Sequence, residues 1–288
     1  MSTVMITGTS SGLGLATALT LGRAGHRVFA TMRNPGAARE LGETVKKEKL
    51  PVSVHVMNVD SEASVKYAME EIGALAGVVD VLVNNAGVEC HGSVEEVPLA
   101  EFHAVMETNY FGPLRCIKAV LPGMRGRGSG CIINVSSVSG RIAASPLSGY
   151  CASKFALEAL SEGLAQEVKP FGIRVAIVEP GIIDTPMARA VEEEPEQSLY
   201  PQARRFSGLF QASLSHPAQP ALVGEAIRDI IESGTWKLRH PVGPDAAGFL
   251  AWRAAMSDEE WISWGALSDE EWYARVQSDF GIDARRKK

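Results

Sequence analysis

The sequence predicts an α/β fold: a doubly wound parallel sheet of about seven strands, built as one domain with a short helical extension at its C-terminal end. Three observations carry that prediction. Short β-branched and apolar runs alternate with helix-length segments from residue 3 to about residue 245, the pattern of right-handed βαβ crossovers. A Gly-rich turn, TGTSSGLG at 7–14, joins the first run to the first helical segment. The run VDVLVNN is apolar on both faces, as a parallel strand covered by helices on each side must be.

Taken in order, VMIT at 4–7 is the first strand, and LGLATALTLGRAG is a helix ending on Gly25. HRVFATM is the second strand. Asn34 and Pro35 read as the N-cap and first position of a charged helix running to about Lys49. PVSVHVMNV and DSEASVKYAMEEIGALAG make the third strand and helix, and VDVLVNN is the fourth strand. One long helix is expected from about Leu99 to Met124. SGCIINVSS, a helix from about Gly149 to Phe171, and GIRVAIVEP then supply the fifth strand, its crossover and the sixth strand.

Residues 186–220 interrupt this regularity with prolines, the acidic cluster VEEEPEQ and the segment PQARRFSGLFQASLS. Within that segment Ala203, Phe206, Phe210 and Leu214 recur at helical spacing. The insertion is placed to cover a ligand at the carboxyl ends of the strands, as a lid. An apolar face packed permanently on the core has the same periodicity. HPAQPALVGEAIRDIIES is a further helix and TWKLRHPVG a last strand, closing a catalytic domain of residues 1–245. In the extension, 246–288, SDEEW occurs at 257–261 and again at 268–272. Each copy fits a capping box, Ser257 with Glu260 and Ser268 with Glu271, so two short helices are expected. Their tryptophans suggest docking onto the domain or onto a neighbouring subunit.

A net charge of −6 supplies no large basic surface, which argues against a nucleic-acid partner. Cys90, Cys116, Cys131 and Cys151 are widely spaced with no C-x-x-C, and the histidines form no ligand pair, so no metal is expected. The longest apolar run falls well short of the roughly 20 residues a spanning helix needs. With a strand starting almost at residue 1 there is no room for a signal peptide. The expectation is a cytoplasmic protein without a membrane partner.

Gly8, Gly12 and Gly14 follow a strand and open a helix. Backbone without Cβ atoms can approach a pyrophosphate there, with the helix N-terminus facing the negative charge. Glycines serving only a tight turn would look alike, but the position after the first strand favours a dinucleotide. The second strand ends in ATMRN, with Arg33 and no acid. A guanidinium there suits a 2′-phosphate, so NADP is favoured, with NAD possible; a solvated arginine at a helix entrance is the plain alternative. NNAG at 84–87 ends the fourth strand with small residues and amides that can tie down exposed backbone; a simple Asn-Gly turn would read the same. In YCASKFALEAL, Tyr150 and Lys154 lie four apart, on one helical face. Ser137 ends the fifth strand at the same sheet edge. A phenol titrates near pH 10, so acid–base work near neutrality needs a drop of about two to three pH units. A lysine one turn away, aided by the positive charge of an oxidised nicotinamide, is an adequate source.

In concert these motifs resemble the short-chain dehydrogenase/reductase superfamily, over residues 3 to about 185: T-G-x-x-x-G-x-G at 7–14, NNAG, Asn109 within TNYFG, Ser137, Y-x-x-x-K at 150–154 and P-G-x-x-x-T at 180–185. YCASKFALEAL and VFATMRN look most like its hydroxysteroid and retinol dehydrogenases. The resemblance implies a Rossmann-like, homodimeric or homotetrameric oxidoreductase that moves a hydride between nicotinamide and a small-molecule secondary alcohol or ketone. Tyr150 would exchange a proton with the substrate oxygen and Ser137 would hydrogen-bond it. Lys154 would bind the nicotinamide ribose, and Asn109 would hold a water leading to Lys154. Gly8, Ser10, Ser11, Gly12, Leu13, Gly14, Arg33, Asn58, Val59, Asn85, Ala86 and Gly87 would contact the rest of the dinucleotide. Pro180, Gly181, Ile183 and Thr185 would cradle the nicotinamide. Asn58 departs from the Asp that many members carry, though its carbonyl can accept the same bond. Two other readings remain: a dinucleotide-sensing binding protein, against which the full Ser137–Tyr150–Lys154 set speaks, and a sugar-nucleotide epimerase or dehydratase, whose glycine spacing and larger second domain are missing.

Overall fold

The structure, a computed structural model, describes residues 1–192 and 198–285. Most of the VEEEPEQ cluster and the last three residues lie outside that range. β1 (Thr3–Thr7), β2 (Arg27–Met32), β3 (Val52–Val56), β4 (Val81–Asn84), β5 (Gly130–Val135), β6 (Ile173–Pro180) and β7 (Arg239–Val242) make one sheet. Its order is β3-β2-β1-β4-β5-β6-β7, with every neighbouring pair parallel. The sequence expectation of about seven parallel strands is met.

Alternation along each strand divides the core into two layers. Val4 and Ile6 point toward α1 (Gly12–Arg23) and α9 (Ala221–Ser233), whose Leu15, Ala18, Val223 and Ile227 complete that layer. Met5 points the other way, toward α3 (Glu62–Ala76), α5 (Gly112–Arg127) and α6 (Ser148–Val168). α2 (Arg39–Glu48) adds Leu41 to the first layer. The order reverses between β1 and β4, and a crevice opens there at the carboxyl edge.

The single helix expected over Leu99–Met124 is in fact two. α4 (Leu99–Met106) runs into a π-turn at Glu107–Phe111, in which the Gly112 N–H bonds back to the Glu107 carbonyl, and α5 follows. The cause is Pro113, which has no N–H to give the Asn109 carbonyl, so the ladder widens at that point. Likewise, the helix expected from Asn34–Pro35 is first a 3₁₀ turn, Pro35–Ala37, capped by the Asn34 side chain. α2 starts only at Arg39, after the flexible Gly36 and the non-helical Ala38.

Beyond β6 come α7 (Pro186–Glu192) and α8 (Pro201–Ser213). The extension holds one helix more than expected: α10 (Ala246–Ala254) precedes α11 (Asp258–Gly265) and α12 (Asp269–Phe280). α11 and α12 each open with the complete capping box read from SDEEW. Trp272, Val276 and Ala284 form a third apolar cluster that packs on Leu209 of α8.

One buried ionic group joins β6, β7 and α6. Glu179 and Glu158 are 1 % and 4 % exposed, and the Arg239 guanidinium lies 3.8 and 3.0 Å from them. Burial, and then the charge of Glu158, raise the Glu179 carboxyl above its ordinary range, with Arg141 and Arg239 pulling it down. Arg239→Ala should therefore destabilise the fold by about 3 kcal/mol, as expected when a partner of buried charges is removed. In the variant the Glu179 carboxyl, already raised by burial, loses one of the two cations that pull it down and titrates higher still in the folded than in the unfolded chain. The loss should then be smallest at acid pH and grow as pH rises, which denaturant melts across pH would read out.

Candidate active site

The glycine turn and NNAG are held together as one unit at the crevice. Gly8 has φ +71°, and its N–H donates to the Thr31 carbonyl at 2.9 Å. A Cβ on Gly8 would meet Ala86 Cα at 2.7 Å, and one on Gly14 would meet the Gly8 carbonyl oxygen at 2.2 Å. Neither position admits a side chain. Thr7 Oγ1 accepts from the N–H groups of Asn85 and Ala86 at 3.0 and 2.9 Å, and Asn85 Nδ2 donates to the Thr7 and Gly8 carbonyls at 2.9 and 3.0 Å. Asn85, assigned to the dinucleotide from sequence, thus has its amide committed to the protein backbone.

Other residues on this edge divide in the same way. Ser11 is N-cap of α1 without a side-chain cap bond, and no acid lies in the first turn. The amides of Gly12, Leu13 and Gly14, with Ser10 and Ser11 beside them, are left facing the crevice, and the residues present fit a dinucleotide pyrophosphate. Arg33 is exposed at the end of β2 with no ion pair among the described residues. Asn58 Oδ1 accepts from the Asp60 N–H at 3.2 Å. Val59 is buried against Gly112, with its carbonyl accepting from Arg115 at 3.1 Å, so only its backbone edge can face a ligand. Across the crevice, Gly181 donates to the Val242 carbonyl at 2.9 Å, and Asp245 accepts from the Ile182 N–H at 2.8 Å. Thr185 caps the start of α7 through the Ala188 N–H, with Ile183 buried below. A Cβ on Gly12 would lie 3.5 Å from Thr185, so the two loops face each other over a narrow gap.

Ser137, Tyr150 and Lys154 are brought together. Ser137, just past β5, and Tyr150, in the first turn of α6, line one cavity with Glu89. Lys154 is 5 % exposed; its Nζ donates to the Val135 carbonyl at 3.0 Å and stands 5.6 Å from the centroid of the Tyr150 ring. Burial pushes the ammonium down to about 8, opposed by Glu158 one turn on. Burial also drives the Tyr150 phenol above its ordinary value, with the Ser137 side chain pulling the other way and Glu89 reinforcing the rise. The expected acidification by Lys154 is therefore not a property of the chain alone. Its ammonium is anchored to a carbonyl, and desolvation of the phenol outweighs it.

Asn109 lies in the π-turn, fully buried. Its Oδ1 accepts from the Val88 N–H at 2.8 Å, and its Nδ2 donates to the Val88 carbonyl at 2.9 Å and to Ser153 Oγ at 3.0 Å. The whole amide braces the loop after β4 against α6. Gly87 sits between them: a Cβ there would be 3.3 Å from Asn109 Oδ1 and 3.7 Å from Lys154 Nζ. Sequence reasoning gave no role to Thr7, although it opens the T-G-x-x-x-G-x-G motif, and missed Ser153, Asp245 and Glu89, none of which stands in a spacing that marks chemistry.

The cavity measures about 510 Å³, the size of a drug-like ligand's site. Ser137 and Tyr150 give it a polar corner; Ile142, Leu147, Phe206, Phe210 and Trp261 are among its apolar walls. Of the apolar face read in the 199–214 segment, Ala203 and Leu214 are buried, while Phe206 and Phe210 pack with tilted rings, centroids 4.9 Å apart, and line the cavity. The C-terminal helices, which the sequence did not tie to the site, contribute Trp252, Trp261 and Trp264. Trp261 Nε1 donates to the Ala143 carbonyl at 3.0 Å and pins α11 to the loop before α6. Among the described residues no cluster of His, Cys, Asp or Glu could hold a metal, and no helix is long and apolar enough to cross a membrane.

The short chain dehydrogenase family profile matches residues 2–196. The chain belongs to the short-chain dehydrogenase/reductase superfamily. It is accordingly an oxidoreductase dependent on a nicotinamide dinucleotide. Within the superfamily it is 37% identical to the 3-ketodihydrosphingosine reductase of Bacteroides thetaiotaomicron, over 84% of this chain and 87% of that protein. It is 38% identical to bovine retinol dehydrogenase 8, over 79% of this chain and 75% of the relative. The crystal structure of a short-chain dehydrogenase from Streptomyces avermitilis superposes with a TM-score of 0.76 at 35% identity, covering 93% of this chain and 99% of the other.

Glu89 gives this site a pH signature. Half-buried in the cavity wall, its carboxyl is pushed up to about 7 by burial. A carboxyl raised on folding stabilises below its unfolded pKa, and that contribution is lost as pH rises through the folded value. Glu89→Gln should melt like the parent near pH 4.5 and higher than the parent above pH 7, by up to roughly 3 kcal/mol. Identical melting profiles from acid to alkaline pH would show that Glu89 ionises freely.

Proposed function

We propose that the protein is an NADP(H)-preferring enzyme that interconverts a hydrophobic secondary alcohol and its ketone, with Tyr150 as general acid and base. The observation that carries this reading is the cavity itself, mostly apolar but with Ser137 and Tyr150 together at its polar corner beside the crevice. The names of two relatives, 3-ketodihydrosphingosine reductase and retinol dehydrogenase 8, agree with an apolar substrate.

When bound, the cofactor supplies the hydride that reaches the carbonyl carbon. Tyr150 gives its proton to the carbonyl oxygen as that bond forms, and Ser137 donates a hydrogen bond that holds the oxygen in place. A buried, protonated phenol is the right form for this direction. Oxidation needs the phenolate, so it should speed up with rising pH while reduction does not. Lys154, fixed by Val135, would hold the nicotinamide ribose, and Pro180, Gly181, Ile183 and Thr185 would form the facing wall. Because the Asn109 amide is engaged with Val88 and Ser153, a water leading to Lys154 would sit on the Asn109 main-chain carbonyl that Pro113 cannot serve. Phe206 and Phe210, on the 186–220 insertion, would cover the substrate. Leu99, Phe111 and Phe155, exposed on α4, the π-turn and α6, offer an apolar face for a homodimer or homotetramer.

Tyr150→Phe and Lys154→Ala should each lower turnover at least about a hundredfold, with Tyr150→Phe still binding the dinucleotide. Near-normal turnover of Tyr150→Phe on a panel of ketones would falsify the mechanism. The cofactor preference rests on the exposed, unpaired Arg33 at the end of β2. Arg33→Ala should weaken NADPH at least about tenfold and leave NADH nearly unchanged. Equal weakening of both, measured by fluorescence titration, would make Arg33 structural.

A further inference from the structure

The wall of the cavity built by α8, α11 and α12 is not uniformly apolar. Arg205 of α8 is 4 % exposed and lines the cavity. Its Nε donates to Asp269 Oδ1 at 2.7 Å, at the start of α12, while its Nη1 is buried with no hydrogen-bond partner. Arg204 pairs with the other oxygen of the same Asp269 from the exposed side of α8. Two guanidiniums thus share one carboxylate, which leaves a positive charge over. The unpartnered atom belongs to the buried arginine. Nearby in sequence and on the same cavity, Gln202 donates through Nε2 to the Gly265 carbonyl at 3.2 Å and leaves Oε1 without a partner, and the Trp264 indole N–H is also buried and unbonded.

Buried donors are almost always paired, because an unpaired one forfeits its hydration for nothing. Two orphaned donors and an orphaned amide oxygen, on three residues that line one cavity of ligand size, mark a polar patch in its wall. A guanidinium N–H in a water-poor setting selects an oxygen acceptor, and a carboxylate most strongly. Arg205 is the only cationic side chain among the residues lining the cavity.

We propose that the cavity binds molecules whose apolar body carries a second oxygen function, a carboxylate above all, drawn to the Arg205 guanidinium with the Trp264 indole N–H beside it. This rests on the reading of the cavity as the substrate site: the reacting alcohol or ketone occupies the Ser137–Tyr150 corner, and the carboxylate fixes the other end of the molecule. The pocket then prefers an oxo or hydroxy acid with an apolar chain over the corresponding ester or plain ketone.

The experiment uses the tryptophans that line the cavity as reporters, on the full chain without cofactor. Octanoate and 1-octanol are titrated near neutral pH while indole fluorescence is followed. Octanoate should bind at least about tenfold more tightly than octanol, a preference typical of a charge-assisted bond. Arg205→Met should abolish that preference and leave octanol unchanged. Arg204→Met, which breaks the same Asp269 pairing from outside, should retain it. Equal binding of the two probes by the parent protein overturns the proposal, and this comparison stands even where Arg205→Met fails to fold. Loss of the preference in Arg204→Met to the same degree also overturns it, by reducing Arg205 to an anchor for α12. A separate arm compares turnover of a medium-chain oxo acid and its methyl ester with NADPH. The KM for the acid should rise at least about tenfold in Arg205→Met while kcat changes little. Absence of turnover with either compound would count against the oxidoreductase reading of this cavity and leave the fluorescence result to decide the subsite.

Discussion

Everything at this site depends on how β1 and β4 part at their carboxyl ends. In a parallel sheet the point where strand order reverses leaves a gap with unpaired backbone on both sides, and that gap has to be kept open without being left unsatisfied. Here one hydroxyl and one amide do it. Thr7 Oγ1 takes two N–H groups from the loop after β4, and Asn85 returns its own N–H groups to the end of β1. With those loops tied so closely, only glycine fits at 8 and 14. The α1 amides are then left free to meet an anion, because nothing within the protein needs them.

A second, deeper set of polar contacts carries that geometry toward the reacting corner. Asn84 bonds Asn134 at 2.8 Å, and Asn134 bonds Ser161 at 2.8 Å, all buried. Asn109 joins the loop after β4 to Ser153, and Lys154 is tethered to the last carbonyl of β5. The register of α6 along the sheet is thereby fixed from three sides, and with it the place of Tyr150. Such a network is rigid because a shift of α6 would leave several buried groups unpaired at once. Lys154 and Tyr150 are both desolvated, and each moves toward its uncharged form. The chain by itself therefore holds a phenol kept protonated beside a lysine whose ammonium is weakened.

The fold and the meeting of Ser137, Tyr150 and Lys154 were legible in the sequence because both rest on local or strongly periodic signals. The βα alternation, the glycine turn and the four-residue spacing of Tyr150 and Lys154 each speak within one element or one turn, and both SDEEW capping boxes form as written. What was not legible depends on contacts between distant parts. The division of the long helix at Glu107–Phe111 turns on a single proline working against an otherwise continuous pattern. The depressed acidity of Tyr150 is a consequence of burial, which spacing does not report. The role of the tryptophans was hidden because a capping box tells where a helix begins and not what it will lie against; the link runs through single contacts such as Trp261 to Ala143.

The placement of the last three helices has a consequence for the order in which the protein comes into being. The glycine turn, NNAG and the 180–185 loop have all been made once the chain reaches Thr185, and Gly181 and Ile182 gain their partners with Val242 and Asp245, whereas the chamber beside them lacks walls until α12 has folded near residue 280. A chain leaving the ribosome therefore carries the residues of the crevice well before the last walls of the chamber beside it. Because Trp252, Trp261 and Trp264 stand on these last helices, a change in the final few dozen residues reshapes the chamber while leaving the residues of the crevice as they are.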